Sequence, residues 1–208
     1  GIKRNDKIAM KLDDGDAIIG VGLCNAQQND ILLTTALGRC IRFATEEVRV
    51  FAGRDSTGVR GIRLADGDSV ISMAVLRSVE ASPAERAAYV KQANALRRAT
   101  GEDVEDAGPA DDEEAEGGDV DLSQERFVEL GAAEEVILTV STEGFGKRSS
   151  AYEFRRTGRG GQGLLAQDLT KKGGRLAASF PVEEDEEILL VTDQGQLIRT
   201  PVNQVRMV

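Results

Sequence analysis

Histidine and tryptophan are absent from this 208-residue chain, cysteine occurs only twice, and the aromatic residues are six Phe and two Tyr. Without histidine, the commonest general base and metal ligand near neutral pH is gone. Cys24 and Cys40 stand in separate β-like segments without metal-ligand spacing, and both read as buried small apolar side chains. Tyr89 and Tyr152 are the two tyrosines to weigh as nucleophiles. One falls in a helical stretch and the other in the strand-like AYEF, so both read as packing residues. No catalytic residue and no metal site emerge. No apolar run approaches the roughly 20 residues of a membrane span, and Gly1 opens no charged-then-apolar leader. The expectation is a soluble, cytoplasmic chain with no membrane contact.

What the chain does contain is a segment written three times: ILLTTALGRCIR from Ile31, ILTVSTEGFGKR from Ile137 and ILLVTDQGQLIR from Ile188. A glycine (Gly38, Gly144, Gly195) is followed four residues later by an arginine (Arg42, Arg148, Arg199). The second and third glycines are 51 residues apart and the first and second 106, so one period carries an insertion. A period near 50 built of short strands and turns suits propeller blades of about four strands each. A second element repeats too: GRDSTGVRGIRL from Gly53 and GRGGQGLLAQDL from Gly158. The fold class is therefore all-β, with propeller-like blades of antiparallel strands. In such strands Ile31, Leu33 and Thr35 share one face and Leu32 and Thr34 the other, with neighbouring blades covering both.

Residues 1–76 read as the end of one blade plus a complete blade, 77–133 as an insertion, and 134–208 as a blade plus the start of another. The opening KIAMKL, the turn at Asp13 to Asp16 and AIIGVGLC read as two strands about a tight turn, with a similar turn at Ala65 to Asp68. In the insertion, Ser82-Pro83-Ala84-Glu85 has the form of a capping box and predicts a helix over 82–100. A shorter helix follows the acidic run. Residues 102–121 are too acidic and too poor in large apolar groups to fold alone. The insertion holds fifteen acidic and six basic residues, nearly all of the chain's net charge of −10. The blades themselves are almost neutral, so the acidic total does not argue against a polyanionic partner.

Basic residues recur at matching blade positions: Arg39, Arg42, Arg49, Arg54, Arg60 and Arg63, then Lys147, Arg148, Arg155, Arg156, Arg159, Lys171, Lys172 and Arg175, then Arg199 and Arg206. Arginines separated by glycines can bring guanidinium forks and backbone amides up to phosphates without reading bases. The alternative is that they keep a β surface soluble and block edge pairing. TGRGGQG, residues 157–163, is the sharpest local motif; it lacks the GK[ST] ending of a nucleotide loop.

Taken together, STGVRGIRLADGD from Ser56, GFGKR from Gly144 and ILLVTDQGQLIRTPVNQVR from Ile188 closely resemble the C-terminal domain of the DNA gyrase A subunit. The resemblance covers essentially all the chain outside the acidic insertion. It implies a β-pinwheel, a propeller relative in which neighbouring blades exchange strands and double-stranded DNA wraps around a basic rim. It further implies a non-catalytic part of an ATP- and Mg-dependent topoisomerase of two A and two B subunits, bacterial and nucleoid-associated, with no cofactor bound in this part. The rim would comprise Arg39, Arg42, Arg49, Arg54, Arg60, Arg63, Lys147, Arg148, Arg156, Arg159, Lys171, Lys172, Arg199 and Arg206. The family's signature box, Q-[RK]-R-G-G-[RK]-G, has no intact copy here; Arg159, Gly160, Gly161 and Gly163 retain part of it, while Thr157, Gly158 and Gln162 depart. Two other readings stay open: a topoisomerase IV-type C-terminal domain that steers substrate choice, and a protein-binding propeller. For the acidic run, a solvated tether and a competitor lying on the basic rim are both open.

Overall fold

The computed structural model describes residues 9–105, 120–170 and 173–208. Each repeated segment forms a β-hairpin: β1 (Asn29–Thr35) with β2 (Arg39–Ala44), β4 (Val136–Ser141) with β5 (Gly146–Ser150), and β8 (Glu187–Val191) with β9 (Leu197–Pro201). The repeated glycine makes the hairpin turn. Gly38, Gly144 and Gly195 have φ of 87°, 79° and 78°, a left-handed conformation that costs other residues about 1–2 kcal/mol. Each donates its N–H to the carbonyl three residues back, Thr35, Ser141 or Thr192, at 3.0–3.1 Å. Register repeats as strictly as sequence. Leu32 faces Arg42, Leu138 faces Arg148 and Leu189 faces Arg199.

A third strand completes the pattern on the other edge: β3 (Val70–Arg77) beside β1, and β7 (Leu176–Val182) beside β4. Both pairings carry an irregularity at the same repeat position, between Thr34 and Thr35 and between Val140 and Ser141. The fourth strand of the first sheet, β6 (Leu164–Leu165), comes from the second repeat and pairs with Cys40 and Arg39 of β2. Neighbouring blades thus exchange a strand, which is the pinwheel arrangement.

Both faces of β1 are buried, as its mixed apolar run requires. Ile31 and Leu33 pack with Ile41, Phe43 and Ile62, whereas Leu32 joins Cys40, Leu76, Ile137, Ala151 and Phe154 across the seam with the second blade. Leu138, Val140, Val182, Ile188 and Val202 fill the next seam. The blades are held to each other by the same apolar burial that holds each together.

The opening segment departs from expectation. Its turn forms, with Asp16 N–H bonded to the Asp13 carbonyl at 3.1 Å, but residues 9–28 contain no strand. A strand needs a ladder partner, and among the described residues 17–24 have none. Ile18, Ile19, Val21 and Leu23 are consequently exposed. Cys24 is exposed with them, so only Cys40 takes the buried role read from the sequence.

In the insertion, α1 (Pro83–Ala99) starts at a complete capping box. Ser82 Oγ accepts from the Glu85 N–H, and the Glu85 carboxylate accepts from the Ser82 N–H. The helix packs against α2 (Gln124–Ala133) through Tyr89, Ala93 and Leu130, and Tyr152 of the second blade completes that cluster. Tyr152 Oη donates to the Leu130 carbonyl at 2.8 Å, and Tyr89 Oη donates to Glu134 at 2.8 Å. The two tyrosines therefore anchor the insertion to the blade. The acidic run is also partly folded: Glu102 to Glu105 are held in place, with Val104 bridged in parallel to Met207. Most of the rest, 106–119, lies outside the described residues.

Candidate nucleic-acid interface

In its first two copies the repeated arginine is buried and does not face solvent. Arg42 is 5% exposed; its Nε donates to Asp30 at 2.8 Å, Nη1 to the Ala151 carbonyl at 2.8 Å and Nη2 to the Arg77 carbonyl at 2.9 Å. Arg148 is 1% exposed and donates to the carbonyls of Val205 and Asn203, with Glu102 at 3.4 Å. Both bolt one blade to the segment that follows in the next repeat. The backbone shows the same equivalence, since Thr157 N–H bonds the Arg42 carbonyl and Val208 N–H the Arg148 carbonyl, each at 2.8 Å. A guanidinium suits this role because its five donors can satisfy several carbonyls at once. Arg42 and Arg148 accordingly leave the set of surface cations. Arg199, the third copy, lies exposed and pairs with Glu187.

The sequence carried a signal for this. An acid stands twelve residues before the arginine in the first and third copies, Asp30 and Glu187, whereas the second has Val136. That acid is the partner in the first and third copies, and in the second Arg148 turns to carbonyls and to Glu102.

The glycine-rich stretch also has a seam role. Arg39 donates to the carbonyls of Gln162 and Gly163, and Arg159 to those of Glu47 and Arg60. Gly160 N–H bonds the Gly61 carbonyl and Arg63 N–H the Gly161 carbonyl. Gly163, at φ 71°, passes so close to the Cys40 carbonyl that a Cβ there would overlap it. These bonds lay residues 157–163 along residues 60–63.

This stapling leaves the arginines of 49–63 facing solvent. Arg49, Arg54, Arg60 and Arg63 are exposed, and none has a carboxylate partner among the described residues. Arg49 lies over the Phe51 ring at 5.1 Å. Elsewhere several cations are neutralised: Arg156 sits 3.6 Å from Asp30 and 3.9 Å from Glu80, and Arg206 binds Asp103 and Glu105 at 2.8 and 2.7 Å, whereas the exposed Arg77 and Arg175 donate to the carbonyls of Ala132 and Gly67. Lys147 is half-buried in a seam, where burial lowers its pKa while Glu153 opposes the fall. Glu153 is itself pushed up to about 7 by burial. Lys171 and Lys172 lie outside the described residues. Among the described residues, 49–63 therefore gathers four exposed arginines without carboxylate partners in one stretch, backed by Arg39 and Arg159.

No helix among the described residues is long and apolar enough to cross a membrane. The family described as DNA gyrase C-terminal domain, beta-propeller, matches residues 7–25, 29–77, 135–183 and 186–207, omitting the insertion. The DNA gyrase A subunit of Granulibacter bethesdensis is 53% identical over 99% of the chain, and those of Rickettsia bellii and Pseudomonas aeruginosa are 43% and 32% identical over 99% and 96%. The chain spans less than a quarter of each: 23%, 22% and 16% of their lengths. Among solved structures, the C-terminal domain of DNA topoisomerase IV aligns with a TM-score of 0.63 at 17% identity, over 96% of this chain and 45% of that one. A DNA gyrase A C-terminal domain aligns at 0.52 and 19%, over 87% and 40%. These likenesses support the fold. With matched repeats, exchanged strands and relatives of this identity, the chain belongs to the DNA gyrase C-terminal domain, beta-propeller family.

Proposed function

We propose that this chain is a DNA-contacting, DNA-bending part of the A protein of a gyrase, without catalytic residues or a cofactor of its own. The observation that carries the reading is the arginine row 49–63, exposed, lacking carboxylate partners among the described residues and held in shape by the glycine-rich seam. Arginines spread along a curved blade edge bind phosphates many times weakly and read no bases. Smooth bending of a ~20–30 bp site costs on the order of 1–6 kcal/mol, which such contacts together must offset. In the whole enzyme the bent duplex would be presented for ATP- and Mg-dependent strand passage and negative supercoiling, in a complex of two A and two B subunits in the bacterial cytoplasm, at the nucleoid. Sequence relatives up to 53% identical are gyrase A subunits, which favours this reading over the topoisomerase IV type.

The test is the affinity of the chain for a long, sequence-random linear duplex as salt is varied. Log affinity should fall linearly with log salt, with a slope of about −0.9 for each phosphate neutralised. Binding absent even at low salt would overturn the reading.

A further inference from the structure

Between the insertion and the last repeat, a short acidic segment is laid against a cation at a blade seam. Residues 206–208 are paired on both edges. On one side, Arg148 N–H bonds the Arg206 carbonyl and Val208 N–H the Arg148 carbonyl, each at 2.8 Å. On the other, Met207 N–H bonds the Asp103 carbonyl at 3.0 Å and Glu105 N–H the Met207 carbonyl at 2.8 Å. The backbone pairing fixes Asp103 and Glu105 either side of Val104, so that both carboxylates reach the same guanidinium. Asp103 accepts from Arg206 Nε at 2.8 Å and Glu105 from Nη1 at 2.7 Å.

We infer that residues 102–105 are an autoinhibitory strap that withholds Arg206 from DNA phosphate and is displaced when DNA binds. The inference rests on the DNA-contacting reading above. A carboxylate and a phosphate compete for the same guanidinium fork, and a carboxylate tethered in the same chain competes at high effective concentration. The strap is nevertheless displaceable. Arg206, Asp103 and Glu105 side chains are 50%, 66% and 60% exposed, and ion pairs this exposed to water are weak. Apart from these ion pairs, two backbone hydrogen bonds to Met207 hold residues 103–105, and Glu102 is held by its N–H to the Arg97 carbonyl at 3.0 Å and its carboxylate 3.4 Å from Arg148. Arg148, buried and bonded to two carbonyls, stays in the seam whether or not Glu102 remains.

The experiment compares the full chain with Asp103→Asn/Glu105→Gln, with the same pair in an Arg206→Gln background, and with Glu184→Gln/Asp185→Asn, an equal charge change on an exposed turn. Each is titrated against a random-sequence linear duplex at several salt concentrations. The strap variant should steepen the salt slope by about 0.9, equivalent to on the order of tenfold tighter binding at ~50 mM salt and no change near 1 M. The Arg206→Gln background should abolish that gain, and the control pair should show a smaller one. If the parent chain binds and the strap variant binds identically, or if Arg206→Gln leaves the gain intact, the strap is overturned while the DNA reading stands. Failure of every variant to bind at low salt overturns both, and binding by the strap variant alone supports both.

Discussion

Replacing Arg42 with methionine separates the two roles an arginine can have on this fold. Methionine fills much of the same volume, but it strands the Asp30 carboxylate, whose side chain is 3% exposed, and removes a donor from each of the Ala151 and Arg77 carbonyls. Breaking a buried ion pair by removing one partner costs about 3–5 kcal/mol. Arg156, 3.6 Å from the other Asp30 oxygen and largely solvated, offsets a little of this, so the expected loss is about 3 kcal/mol, at the low end of that range. At a urea dependence of about 2 kcal/mol per molar, the unfolding midpoint should fall by about 1.5 M. Adding Asp30→Asn to the methionine variant should recover part of it, because the uncompensated charge has gone. Stability is read by urea unfolding followed by circular dichroism, and DNA affinity on the same samples below the transition, where the salt slope should be unchanged. A loss under ~1 kcal/mol combined with a slope shallower by about 0.9 would show that Arg42 is a surface phosphate contact and refute the seam assignment.

Gly163→Ala should destabilise by at least ~2 kcal/mol, from its left-handed φ and the overlap with the Cys40 carbonyl, and should free Leu164 and Leu165 from β2; amide exchange at Cys40 would report the opening. Glu153 gives a pH signature. Burial raises its pKa from 4.5 to about 7, so between those values the folded chain keeps a proton that the unfolded chain releases. Its contribution to stability therefore declines as pH rises through that window and is level above it, and Glu153→Gln should flatten the decline in melting temperature. Cys40, buried and with its thiol pushed up to about 12, should resist iodoacetamide at neutral pH while exposed Cys24 is alkylated; mass spectrometry of the chain, alkylated while folded and then digested, distinguishes them.

The repeat was legible because a turn that demands a glycine and a strand that demands apolar residues recur at fixed spacing, and spacing survives in one dimension. Gly38, Gly144 and Gly195 fell at the same turn, and the capping box at Ser82 and Glu85 formed as written. Burial of Arg42 and Arg148 was hidden because charge ordinarily stays in water, and their partners are carbonyls from a neighbouring repeat that carry no residue signature. The flanking Ile41 and Phe43, both buried, and the acid twelve residues earlier were the available clues. The docking of 102–105 had no local signal, since low-complexity acid reads as solvated until Met207 is brought beside it from a hundred residues away. The strands expected about the turn at Asp13 to Asp16 do not form over residues 9–24 for the reverse reason: the pattern was there but, among the described residues, the ladder partner was not.

The most direct test of the account is the salt dependence of DNA binding by the variant Arg49→Gln/Arg54→Gln/Arg60→Gln/Arg63→Gln beside the parent chain. The account predicts an unfolding midpoint close to the parent's and a slope shallower by roughly 3.6, about 0.9 for each arginine lost. An unchanged slope with the fold intact would mean that phosphates are held elsewhere, and the assignment of the interface to residues 49–63 would be wrong.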